Sequence, residues 1–420
     1  MTFLLFLFSL LIGWAAWNLY HPVTRPGGAS VASFLTGWLV GELAWHHIAV
    51  QGFIVFLFVW GGAVEGFFGA VAMAIIVSSW LAMSHFYATG RHAGDVVERA
   101  LASALGEDYT ASIPDDVRSR FGTRLNPDRL MKPFQKMKTA HPDVEVVKDI
   151  PFGQHGQRLD LYKPRRGGDN CPVLMQIHGG AWTEKMGSKN EQALPLMAHM
   201  AERGWIAVSV DYRLSPRATW PEHLIDCKEG LRWIRENIAS HGGDPDFVVV
   251  TGGSAGGHLT AMMALTAGDP EYQPGFESVD TSVQGAVPFY GPMDFNAEFA
   301  QYRKSGQDFL EATILKKQRS ADPEAFNRAS PLHRIHEQAP PFFVIHGDSD
   351  SLVPVEGARV FVDELKRVSK SPVAYAEIPG AQHAFDMFPS VRSEHVKHGV
   401  ERFLAWLYAN RDTGETPQKS

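Results

Sequence analysis

At 420 residues, 45% of them hydrophobic, the chain is long enough for a core domain of about 250 to 280 residues plus an accessory region. A net charge of −7, with no basic stripe interleaved with aromatics, excludes a nucleic-acid partner. Cys171 and Cys227 read as small buried apolar residues, and the 18 histidines show no His-Glu-x-x-His or Cys-x-x-Cys spacing, so neither a disulfide framework nor a metal is expected.

The first ninety residues carry almost no charge. Phe3 to Leu19 is apolar and, at about 1.5 Å per residue, covers most of a bilayer's hydrocarbon. A cleaved signal peptide fits less well, because no Lys or Arg precedes this stretch and further apolar stretches follow at once. Val31 to Val64, with Glu42 as its single acid and His46 beside His47, is too long for one upright span. It reads as a tilted helix or as an interfacial piece leading into a span. Gly66 to Ala88 is the cleanest segment. Residues 1–90 are therefore expected to form about three transmembrane helices rather than a buried soluble subdomain, whose helices would alternate with polar faces.

Arg25 and the pair Arg91 and Arg99 are separated by two crossings and share a side, which the positive-inside rule makes cytoplasmic. Glu42 is left open between snorkelling, pairing with a nearby histidine, and an intramembrane site. Residues 91–142 form a polar, helix-prone connector broken at Pro114, Pro127 and Pro133, with the composition of a lid part. The region before residue 91 is expected to deliver substrate and to be dispensable for turnover of a soluble short-chain ester.

From residue 143 the pattern changes. Val144 to Val147 and Arg158 to Tyr162 read as strands joined by a hairpin at Gly153 to Gly156. Strands follow at Val173–Ile177, Trp205–Val210, Phe247–Val250, Val283–Phe289, Phe342–Ile345 and Val373–Ile378, separated by helices. One helix, opened by Pro221, carries Leu224, Cys227, Leu231, Ile234 and Ile238 at steps of three and four, a stripe that faces a sheet. Two leading antiparallel strands and then β-α alternation specify an α/β fold, a mostly parallel sheet covered by helices on both faces. Met293 to Gln338 interrupts the rhythm as a polar helical insertion, where a cap would sit, and residues 412–420 read as a disordered tail.

The chemistry is concentrated at strand ends. Thr251-Gly252-Gly253-Ser254-Ala255-Gly256-Gly257 follows an apolar strand and opens a helix, the context of a nucleophile elbow in which Gly252 and Gly256 leave room for a strained backbone. A serine hydroxyl needs a histidine to take its proton, and the histidine needs a carboxylate to fix its tautomer. Asp350 in His346-Gly347-Asp348-Ser349-Asp350 and His383 in Gly380-Ala381-Gln382-His383 supply these in the order Ser, acid, His. Asp350 is preferred to Asp348, which sits tight against the strand end and is expected to bond loop amides. His178-Gly179-Gly180-Ala181-Trp182 follows another strand; Gly179, Gly180 and the amide of Ala255 are the expected oxyanion donors, and His178 is expected to order the loop.

From about Asp143 to Leu407 the chain resembles an α/β-hydrolase of the hormone-sensitive-lipase-like esterases and the related group marked by His-Gly-Gly-x-Trp. Tyr212-Arg213-Leu214-Ser215-Pro216 and Asp350-Ser351-Leu352-Val353-Pro354 also resemble that group, whereas Gly253 stands where many lipase-like members have an aspartate. The resemblance implies hydrolysis of carboxylic esters through the triad Ser254, Asp350 and His383, without a cofactor, and the expected partners are a small-molecule or lipid acyl ester and membrane lipid. A formamide or amide hydrolase of the same fold is the alternative within enzymes. A non-catalytic binding module would have signalled itself by losing a triad residue, and a transporter-like role would rest on Glu42, His46 and His47.

Overall fold

The computed structural model describes residues 1–24, 28–122, 125, 127–134, 142–190, 192–296 and 304–411. Arg25, the end of the connector at 135–141, the start of the 293–338 insertion at 297–303 and the tail 412–420 lie outside the described residues.

An eight-stranded sheet carries the catalytic half. Its strands are β1 (Val144–Phe152), β2 (Gln157–Pro164), β3 (Cys171–Ile177), β4 (Ile206–Val210), β5 (Gly243–Gly253), β6 (Gly285–Phe289), β7 (Phe342–Gly347) and β8 (Val373–Ile378), in the spatial order β1-β2-β4-β3-β5-β6-β7-β8. Only β2 runs against its neighbours, pairing antiparallel with β1 and β4, while the ladders from β4 to β8 are parallel. β3, β4, β6 and β7 are buried along their whole length, as strands covered on both faces must be. On one side of the sheet Leu224, Cys227, Leu231 and Ile234 pack with Met175, Val208 and Val250; on the other, Val396, Val400 and Phe403 pack with Val249, Phe343 and Ile345. Cys171 and Cys227 are both buried and free.

The amino-terminal region forms four helices, α1 (Thr2–Tyr20), α2 (Gly28–Glu42), α3 (Ala44–Trp60) and α4 (Gly66–Thr89). Thr2–Tyr20 and the Gly66–Leu105 stretch are each long and apolar enough to cross a membrane, and the α2–α3 pair is apolar enough if taken together. The pair is bent by 94°, which resolves the over-long stretch around Val31–Val64 into two pieces. α1 and α4 run side by side with like ends together: Phe6 meets Phe68 at 5.5 Å, and Tyr20 meets Phe86 at 5.4 Å. Outside this bundle the large apolar side chains face outward, with Trp60 79%, Phe67 76% and Phe3 69% exposed.

The bend at α2–α3 falls where Glu42 turns away from the apolar bundle. Its carboxylate accepts a hydrogen bond from Ser390 Oγ at 2.5 Å and lies 3.8 Å from Arg392 Nη1, both on the last helix, Val391–Ala409, or its N-cap. The partner of Glu42 is thus an arginine of the catalytic half, not the adjacent histidines. Arg392 also donates to the carbonyls of Pro379 (2.8 Å) and Phe86 (3.3 Å) and covers the Phe86 ring at 4.5 Å, so one buried guanidinium joins α2, α4 and the segment leading to His383.

The first part of the connector packs on the sheet rather than over the cavity. Its main helix, α5 (His92–Leu105), has an amphipathic stripe of Ala93, Val97 and Leu101 that packs with Ile378, Val396 and Val400, away from the nucleophile. Apolar residues on a helix beside a sheet go to the nearest sheet face, and here that face is at β8.

Candidate active site

The strand β5 ends in the elbow. Ser254 sits at φ 57°, ψ −120°, a conformation that costs a non-glycine residue of order 1 to 3 kcal/mol and that recurs at functional turns. Its N–H donates to the Phe289 carbonyl (3.0 Å), and its carbonyl accepts from His258 N–H (3.0 Å), so both ends of the turn are held. A Cβ at Gly256 would lie 2.1 Å from the Ile177 carbonyl oxygen, which is why the elbow needs glycine there. The helix Ala255–Leu265 begins at once, leaving the Ala255 amide at its N-terminus, the end of a helix that favours negative charge.

Behind the serine, His383 Nδ1–H donates to Asp350 Oδ2 at 2.7 Å. Asp350 Oδ1 accepts from the backbone amides of Leu352 and Val353, both at 2.8 Å, so the carboxylate is held from two directions. Burial is the largest single influence and raises its pKa, but His383 and His346 together outweigh it and hold the carboxyl well below the usual range. His346 was not marked as part of this group by the sequence; its Nε2 lies 3.3 Å from Asp350 Oδ2 and 3.0 Å from the Val353 carbonyl. Asp348 does what its position suggested, accepting from the Gly380 amide at 2.8 Å.

The oxyanion loop corrects one expectation. The Gly179 N–H donates to Gln192 Oε1 at 2.6 Å and is therefore already committed. Gly180 and Ala181 line the cavity wall that holds Ser254 and His383, at φ 110° and 51°. A Cβ at Gly180 would overlap the Met186 carbonyl, so the loop closes on itself only with glycine there. Neither Ala181, which lines the wall, nor Gln192, which holds the Gly179 amide from a loop beyond the motif, carried a local signal in the sequence. His178 is structural as expected: its Nδ1–H donates to the Gly179 carbonyl at 2.7 Å, and its ring stacks on Tyr212 at 4.4 Å.

Gly253 also acquires a reason. A Cβ there would come within 2.6 Å of the Tyr290 hydroxyl, and that hydroxyl donates to Asp386, three residues beyond His383. An aspartate at 253 has no room while Tyr290 lies across the site, its ring 4.6 Å from the His383 ring.

Ser254 and His383 open on one cavity of about 480 Å³. Met186, Phe309, Leu310, Leu352, Val353 and Met387 give it an apolar wall, and Phe34 of α2 completes it. This is the volume and chemistry of a site for a small apolar ligand with a few placed polar groups. Phe34 too was not marked by the sequence, because an apolar residue in an apolar stretch carries no sign of an active-site contact.

Two further features concern charge. Among the described residues, His199, His398 and Glu401 bring ligand atoms within 4.8 Å of one another. Glu401 there already accepts from His199 Nε2 (2.8 Å) and pairs with Arg203 Nε (2.8 Å), so the group closes as an ion-pair network, and none of the three lines the Ser254 cavity. Burial pushes both His178 and His258 down from 6.5 to about 4. Above pH 6.5 such a histidine is neutral in both states and full stability is kept; as pH falls from 6.5 toward 4 the unfolded chain takes up the proton first and stability is lost. For each histidine the loss is on the order of 3 kcal/mol. The thermal midpoint is therefore expected to drop by several degrees between pH 7 and pH 4.5; a midpoint unchanged over that window would contradict the burial of these rings.

Known proteins agree with this architecture. A family model described as BD-FAE matches residues 159–365. The chain is 42% identical over 407 residues to the probable carboxylic ester hydrolase LipM of Mycobacterium tuberculosis, covering 95% of this chain and 92% of that protein. It is also 42% identical over 331 residues to the esterase LipQ of the same organism, covering 76% of each. Among solved structures, a thermophilic esterase from the Planctomycetes species Thermogutta terrifontis, Est2, superposes with a TM-score of 0.51 at 25% identity, over 66% of this chain and 96% of that one. A truncated carbohydrate esterase from gut microbiota, at 22% identity and a TM-score of 0.55, covers 63% of this chain and 100% of that one and shares the fold. With LipM matched almost end to end and an α/β-hydrolase sheet beneath the match, the chain belongs to the α/β-hydrolase family of carboxylic ester hydrolases that includes LipM and LipQ, and it is an esterase of the serine-hydrolase class.

Proposed function

We propose that the chain is a membrane-anchored serine esterase that cleaves acyl esters through an acyl-enzyme, with the ester arriving from lipid. The observation that carries this reading is the shared cavity: one apolar space touches Ser254, His383 and, through Phe34, the apolar amino-terminal bundle. In the mechanism, Ser254 Oγ gives its proton to His383 Nε2 and attacks the ester carbonyl. Asp350 fixes the tautomer with the proton on Nδ1 and stabilises the imidazolium that forms. The Gly180 and Ala255 amides, with Ala181 beside them, receive the developing oxyanion, each such donor being worth about 3 to 4 kcal/mol. His383 then protonates the departing alcohol, and a water activated by the same imidazole releases the acid.

Anchoring rests on α1 and α4 as two crossings and on the bent α2–α3 pair taken together as a third, with one face of α2 lying against the catalytic half. Their exposed aromatic and aliphatic side chains form a surface far more apolar than a water-soluble domain presents. Arg91 and Arg99 follow α4 on the side of the catalytic half, which assigns that side to the cytoplasm by the positive-inside rule. An amide substrate would use the same triad, but no cavity residue favours it over an ester.

Delivery from lipid is tested with the full chain reconstituted in vesicles that hold a long-chain p-nitrophenyl ester. At fixed total ester, adding inert phospholipid is expected to lower the rate in proportion to the ester's surface mole fraction. A rate that follows bulk concentration alone would overturn lateral delivery.

A further inference from the structure

α2 carries three residues one helical turn apart, Phe34, Trp38 and Glu42, on a single face. All three touch the segment that bears the base. Phe34 meets the His383 ring edge-on, centroids 6.1 Å apart and planes at 75°; Trp38 Nε1–H donates to the Ala384 carbonyl at 2.9 Å; Glu42 is held by Ser390 and Arg392. The other flank of α2 is tied to α1: Asn18 Nδ2–H donates to the Ser33 carbonyl at 2.9 Å, and Ser33 Oγ–H donates to Asn18 Oδ1 at 2.6 Å. The helix is thus fixed between the bundle and the catalytic loop, and its contact with the loop is repeated at 383, 384, 390 and 392. Across the cavity from the elbow, the insertion contributes Phe309 and Leu310. Phe34 and this pair belong to segments far apart in sequence, yet both wall the space that an acyl group on Ser254 would occupy.

We infer that the amino-terminal region is part of the acyl-binding site, with Phe34 setting the length of acyl chain the enzyme prefers. The inference rests on the esterase reading of Ser254, and it changes the expected role of residues 1–90. They are not dispensable for a soluble short-chain ester, because without them the cavity loses a wall and the Ala384 carbonyl loses one of its two donors, keeping only the Met387 amide. A purely packing role for Phe34 predicts something different: its truncation would lower stability and leave the relative preference among acyl chains alone.

The experiment uses the full chain in detergent micelles and compares Phe34→Ala, Phe34→Trp and the outward-facing control Val31→Ala, which is 51% exposed in the native chain. The readout is the ratio of kcat/KM for p-nitrophenyl dodecanoate to that for p-nitrophenyl butyrate, with fluorophosphonate labelling of Ser254 reporting an intact site. The ratio is expected to rise about tenfold in Phe34→Ala and fall about tenfold in Phe34→Trp, the range that one or two apolar groups in a pocket supply. Val31→Ala should match the parent. Ratios that stay put, or that move in the same direction for both Phe34 substitutions while labelling persists, would overturn the inference. Loss of labelling at Ser254 in the parent chain would instead overturn the esterase site on which it rests.

Discussion

Ser254→Ala is expected to lower kcat for ester hydrolysis by about 10⁶-fold, because nucleophile and base act as a unit and removing either disables the whole route. A residual rate, some 10³ to 10⁴ above water, should survive from the oxyanion amides and from substrate binding. The strain at this position gives a second signature. Ser254 holds φ 57° within a turn over-determined by the Phe289 and His258 hydrogen bonds. Alanine takes on the same backbone penalty, so the fold and its thermal midpoint should change little. Steady-state kinetics on p-nitrophenyl butyrate beside circular dichroism distinguishes this from unfolding: a large loss of kcat with an unchanged midpoint is the expected pair.

Asp350→Asn should cost about 10⁴-fold in kcat, with little change in KM. An asparagine can turn its amide toward His383 Nδ1 and so stabilise the tautomer with the proton on Nε2, which leaves the imidazole unable to accept from Ser254. The amides of Leu352 and Val353 and the imidazole of His346 also surround this carboxylate, so a stability loss will accompany the kinetic one. Asp348→Asn removes charge from an oxygen that accepts the Gly380 amide, and its effect should fall on stability with kcat within about tenfold of the parent. Measured kcat values that reverse this ranking would move the acid's role to Asp348.

How much of this was legible follows from where the information resides. The nucleophile, acid and base could be read because each stands directly after an apolar strand, and the sheet brings strand ends to one edge: β5, β7 and β8 deliver Ser254, Asp350 and His383 in chain order. Choosing Asp350 over Asp348 needed only the distance of each from its strand end. The oxyanion donors were harder. A pair of glycines says that amides can turn inward, but which amide is already bonded depends on Gln192, a long-range partner. Tyr290 and Gly253 are linked in the same way: the glycine looks like a departure until the tyrosine is seen lying across it.

The amino-terminal region shows the limit most clearly. Hydropathy identifies apolar helices and their ends, yet periodicity cannot tell a residue that faces lipid from one that faces a cavity, since both environments are apolar. Phe34 and Phe53 are alike by composition; one lines the Ser254 cavity and the other is 63% exposed. Glu42 was the single hint. An acid in an apolar stretch must find a partner, but nothing local names Arg392, 350 positions away, as that partner.

The central claim, that this esterase works through a covalent Ser254 intermediate, is tested most directly by reacting the full chain with a fluorophosphonate and mapping the adduct by peptide mass spectrometry. One adduct per chain is expected, on the peptide containing Ser254, and none on the Ser254→Ala chain. An adduct on another serine, or equal labelling of the Ser254→Ala chain, would contradict it.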